Sequence, residues 1–150
     1  MKKGISLVSL GIIVVILTII LSVVVITSSD SVNNMHKVRF VTEFIQVETA
    51  TEKYYINNNI YPGSEKIQVE FTASESNQFA EETIIDNKVN LLKINLSVLG
   101  VDEATYGAGE SQEDFYAVSE TTGKVYYVKG FNYQDKIYYR VTEELNKDYE

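Results

Sequence analysis

Met1-Lys2-Lys3-Gly4-Ile5-Ser6-Leu7 opens a stretch in which no charged residue follows Lys3 until Asp30. The uncharged run from Ile5 to Ile26 is about 22 residues, which as a helix rises roughly 33 Å, against a bilayer hydrocarbon core of ~30 Å. Most of it is Ile, Val and Leu, so insertion is favoured by several tenths of a kcal/mol per central residue, and about 22 of them sum to several kcal/mol. Ser6, Ser9, Thr18 and Ser22 do not reverse this, because a hydroxyl in a helix can bond the carbonyl one turn back. Lys2 and Lys3 on one side and Asp30 on the other orient the run with its amino end in the cytoplasm and the rest outside. A cleaved secretory signal is the bland competitor. The apolar run is longer than such signals use, and no small-x-small site with a preceding helix breaker closes it. An ordinary single-pass anchor accounts for the hydropathy equally well.

Beyond Ser28-Ser29-Asp30-Ser31, apolar residues recur at Val32, Met35, Val38, Val41, Phe44, Ile45 and Val47. That is helical spacing, with Lys37, Arg39, Glu43, Gln46 and Glu52 on the other face. Arg39 and Glu43 lie one turn apart, where opposite charges help modestly. The pattern predicts a helix from Asp30 to about Asn57. Tyr54-Tyr55, then Asn57-Asn58-Asn59-Ile60-Tyr61-Pro62-Gly63, end it, since Asn accepts left-handed geometry and Pro62 disfavours helix at Tyr61.

Two of these segments carry a family likeness. The junction Lys3-Gly4-Ile5-Ser6-Leu7 resembles the leader of type IV pilins and type II secretion pseudopilins, and the Asn-rich turn before Tyr61-Pro62 resembles the turn that ends their long helix. The resemblance implies that a prepilin peptidase cuts between Gly4 and Ile5, and that the new amino group of Ile5 is N-methylated. It further implies that the apolar helix leaves the membrane to pack with other pilin or pseudopilin subunits, driven by an inner-membrane assembly machinery. Residues 1–4 are then a leader containing Lys2 and Lys3, and 5–27 the transmembrane, assembly half of the helix. Residues 28–150 form the extracytoplasmic head, with 28–58 as the amphipathic half of the helix and 63–150 mostly β. The implied fold is α+β and pilin-like: a long N-terminal helix, its first half transmembrane, packed on a small antiparallel sheet.

The chain departs from the family pattern at Ser9, where most members carry Glu. A carboxylate there is costly in lipid unless paired, and in the family it pairs with a neighbouring amino terminus. Ser9 cannot neutralise that ammonium. This leaves open a special position in a filament, a different packing, or a membrane-tethered binding domain that never polymerises. Ile5 stands where Phe is usual, and no proline interrupts Ile5 to Ile26.

The segment from Gly63 to Glu150 suits one compact unit. Phe115 to Ser119, Lys124 to Lys129 and Lys136 to Val141 are β-branched and aromatic runs between turns at Thr122-Gly123 and Gly130, which predicts an antiparallel meander. Ile67 to Thr72 alternates as a strand does, Phe79 to Ile85 is strand-like, and Lys88 to Leu99 is ambiguous between strand and short helix.

Composition narrows the chemistry. The formal charge is −8 and there is no cysteine. An acidic exported head offers no footprint for phosphate backbones, so no nucleic-acid binding is expected of it. Without a disulfide, packing of eleven Tyr residues must hold the head together. No catalytic set, metal site or cofactor is expected: the sole histidine, His36, stands on the helix, and there is no thiol nucleophile. Asp102, Glu103, Glu110, Glu113 and Asp114 surround Gly107 and Gly109, yet their spacing matches no calcium loop. Asn95-Leu96-Ser97 is formally a glycosylation triplet of little weight in a prokaryotic chain.

Overall fold

The computed structural model describes the backbone of residues 7–101 and 104–146, and the side-chain surroundings of 12–18, 31–101 and 104–146. The chain divides into two compact units, one ending at His36 and one beginning at Lys37. Helix α1 (Leu7–Asn58) contributes residues to both. In the first unit, Ile12, Ile13, Val14, Val15, Ile16 and Leu17 are all exposed.

The second unit is built on its part of α1. Phe40, Phe44, Val47 and Thr51, spaced three and four apart, are buried to 1 % exposure or less, with Val41 beside them. The helix ends as expected at the asparagines. Asn59 takes a left-handed φ of 56°, its N–H donates to the Tyr55 carbonyl at 2.7 Å, and Asn58 Nδ2 donates to the Tyr54 carbonyl at 2.9 Å.

The strands β1 (Lys66–Glu70), β2 (Lys88–Lys93), β3 (Tyr116–Val118) and β4 (Val125–Tyr127) form one antiparallel sheet in that order. A 3-10 helix (Ala73–Phe79) lies between β1 and β2, and α2 (Leu96–Leu99) follows β2. Strands β5 (Phe131–Tyr133) and β6 (Lys136–Tyr138) pair separately, before α3 (Glu143–Asn146). Two turns use consecutive left-handed residues without glycine: Asp86-Asn87 before β2, and Gln134-Asp135 between β5 and β6. Such turns match the twist of the strands they join, and Asn and Asp tolerate the conformation.

Every residue of β3 and β4 is buried because the sheet is covered on both faces. Alternation sends Tyr116, Val118, Val125 and Tyr127 into the cluster that holds Phe40, Phe44 and Val47 of α1. It sends Ala117 and Tyr126 into a second cluster with Val69, Phe71, Phe79, Val89, Leu91 and Tyr139. Phe40 stacks on Phe131 at 4.4 Å between ring centres, and Phe79 on both Phe71 at 4.5 Å and Tyr126 at 4.8 Å.

The fold class is α+β, but the pilin-like arrangement with a transmembrane first half of the helix is corrected. Among the described residues no helix is long and apolar enough to cross a membrane. The later part of α1 carries Lys37, Arg39, Glu43, Glu48 and Glu52.

Three local expectations also change. Phe79 to Ile85 is no strand: it holds the end of the 3-10 helix and a turn, because Phe79 is a knob in the second cluster rather than part of a ladder. Lys88 to Leu99 resolves into both candidates, β2 and then α2. The meander breaks after β4, since β5 and β6 form their own hairpin, which the Tyr127 N–H tethers by donating to the Tyr139 carbonyl at 2.7 Å. On α1, Lys37 belongs to the buried face at 2 % exposure, while Val38 and Ile45 are exposed. The Lys37 stem packs inward and its ammonium lies 5.0 Å from the centre of the Tyr133 ring.

Candidate functional site

The residues singled out for processing, Lys2, Lys3, Gly4 and Ile5, lie outside the described residues, as do Asp102 and Glu103 of the acidic loop. Ser9 falls within the bounds of α1, and its side chain lies outside the described ones. His36 is exposed on the same helix. Among the described residues no cluster of His, Cys, Asp or Glu is grouped to hold a metal ion.

The head carries a cleft of about 890 Å³ where the end of α1, the start of α2 and the loop before β3 converge. Tyr54, Ile60, Tyr61 and Phe115 supply apolar wall, and Ser64, Asn95, Ser97, Ser111 and Gln112 supply hydroxyls and amides. Its walls are fixed by local chemistry. Tyr61 stacks on Tyr55 at 4.4 Å, and Pro62 accepts the Asn95 N–H at 2.7 Å. Gly63 passes so close to the Lys93 carbonyl that any Cβ there would collide with it. Asn95 caps α2, its Oδ1 accepting the Ser97 N–H at 3.1 Å, which gives the Asn95-Leu96-Ser97 triplet a structural role.

The opposite wall is a loop wound around one carboxylate. Asp114, 2 % exposed, accepts the N–H groups of Gly107 at 2.8 Å, Gly109 at 3.1 Å and Glu110 at 3.0 Å, and the Tyr127 hydroxyl. Burial opposes its ionisation, but the bonds from Tyr127, Gly107 and Glu110, with Lys129 nearby, outweigh burial and hold the carboxyl below its ordinary value. The same burial and the Asp114 charge push the Tyr127 hydroxyl far up. Gly107 is required twice over, by its φ of 82° and because a Cβ would meet the Tyr116 ring at 2.6 Å. Glu43 of α1 ties this loop down by accepting the Thr105 and Tyr106 N–H groups, each at 3.0 Å.

The sequence groups Asp114 with the other acids around Gly107 and Gly109 and does not by itself assign it this role. The available signal was Gly107-x-Gly109 followed by Asp114, a spacing that lets backbone N–H groups converge on one side chain. On the far face of the sheet, Glu82 accepts from the hydroxyls of Ser119 at 2.6 Å, Thr122 at 2.6 Å and Tyr126 at 2.9 Å. Gln78 bridges to the second hairpin, donating to the Ile137 carbonyl at 2.7 Å and accepting the Tyr139 N–H at 2.8 Å. Burial, then the charge and hydrogen bond of Glu75, push the Tyr139 hydroxyl up to about 12. Through these hydrogen bonds the tyrosines tie neighbouring elements of the sheet and its flanking segments together.

No protein-family model matches the sequence, and neither a curated protein nor a solved structure matches it.

Proposed function

We propose that this chain is a non-enzymatic structural subunit of a type IV pilus or a type II secretion-like pseudopilus. Prepilin peptidase cuts the precursor between Gly4 and Ile5, and the mature chain assembles with other subunits through its N-terminal segment. The observation that carries this reading is the pairing of the Lys2-Lys3-Gly4-Ile5 leader with the Asn-rich Tyr61-Pro62 turn at the end of α1. Exposed Ile12 to Leu17 add support, since an apolar stretch left uncovered calls for lipid or neighbouring subunits.

Ser9 in place of the usual Glu favours a second reading, a membrane-tethered binding domain that does not polymerise. Electron microscopy of sheared cell-surface material, with a tag on the head, separates the two. Tagged fibres support the subunit. A tag that stays with the membrane fraction, with no fibres, supports the tether.

A further inference from the structure

The cleft is lined only by residues of the unit that begins at Lys37. At about 890 Å³ it falls within the ~300–1,000 Å³ of clefts that take small ligands. Its charges are already engaged. Asp114 is saturated by its four donors among the described residues, and Lys93 lies 3.6 Å from Glu65 and over the Phe115 ring at 4.7 Å. The side chains of Ser64, Ser97, Ser111 and Gln112 are exposed, line the cleft, and make no side-chain hydrogen bond to the described residues. Beside them stand two uncovered aliphatic groups, Ile60 at 60 % exposure and Val98 at 50 %.

We propose that this cleft binds a neutral saccharide. A sugar ring presents an apolar face of C–H groups and a rim of hydroxyls, matching a wall of Tyr54, Tyr61 and Ile60 beside hydroxyl and amide donors. An anionic ligand finds no uncommitted cation in this lining, and the chain's net charge of −8 repels it. An N-acetyl substituent suits the site further, because it brings a methyl for Val98 and an amide for Gln112.

The test is titration of the isotope-labelled full chain, in micelles of a sugar-free detergent, with chitotriose followed by two-dimensional NMR. The expected result is saturable shifts of the Ser97, Ser111 and Gln112 amides, with a dissociation constant on the order of 1 mM or tighter. Gln112→Ala weakens binding about fivefold, the equivalent of one neutral hydrogen bond, whereas Asn132→Ala on β5 leaves it unchanged. Absence of saturable shifts at these residues, equal weakening by both variants, or tighter binding of a heparin disaccharide or an uncharged Ala-Gly peptide at the same residues overturns the proposal. Cleavage at Gly4 does not enter the measurement, so its outcome and that of the assembly reading are independent.

Discussion

The unit that ends at His36 and the unit that begins at Lys37 treat their apolar residues in opposite ways. In the first, Ile12 to Leu17 each leave between 46 and 58 % of their surface exposed. In the second, Phe40, Phe44, Tyr116, Val118 and Val125 are all at 0 %. The head therefore builds a closed core on both faces of one sheet, although Ile56, Ile60 and Ile85 stay exposed on it, while the described N-terminal apolar side chains are all uncovered. That difference gives the head a core of its own, and under the proposed function association belongs to the segment before it.

Changes confined to one region should therefore leave the other intact. The largest expected effect is Gly4→Val, which abolishes cleavage while leaving the unfolding midpoint of the head unchanged, as intact mass and circular dichroism would report. A variant that is cut normally breaks the assignment. Within the head, Phe44→Ala removes a ring at the centre of the α1-side cluster and should lower stability by about 3–5 kcal/mol in denaturant titration. A loss below ~1 kcal/mol would mean that this cluster does not hold the head.

Asp114→Asn comes next, at roughly 2–3 kcal/mol, because an amide NH₂ in place of one oxygen sets donor against donor in the loop. Its sign with pH is also defined. The folded carboxyl is held below its unfolded value, so the stability it adds is present above about pH 4 and is lost as pH falls through the folded value. Asp114→Asn should flatten that acid limb. The buried tyrosines act at the other end. Their hydroxyls are raised in the fold, so their contribution is complete below pH ~10 and is lost as pH rises towards the folded value, about 12 for Tyr139. Alkaline unfolding that starts well below pH 10 would contradict this. The smallest effect is Lys136→Ala, which breaks an exposed pair with Glu144 and should leave the midpoint unchanged within error.

What could be read from the sequence divides along physical lines. Local rules located the end of α1 at its asparagines, and alternation with turn residues located β1, β3 and β4. Long-range packing was illegible. Lys37 reads as a surface charge until the Tyr133 ring, 96 residues away in the chain, covers it. Phe79 to Ile85 reads as a strand until the second cluster claims Phe79 as a knob. The break between β4 and β5 depends on Gln78 and Tyr127 reaching the second hairpin, contacts that no local pattern encodes. The cleft shares this character: its lining comes from the ends of α1 and β2 and the loop before β3, and only the fold brings them together.

The central claim is that the N-terminal segment is processed for assembly, and the most direct measurement is intact and N-terminal peptide mass spectrometry of the full chain recovered from cells that express a prepilin peptidase. The expected result is a chain that begins at Ile5 and carries one added methyl group on its amino terminus. A chain that retains Met1 to Gly4 would contradict it.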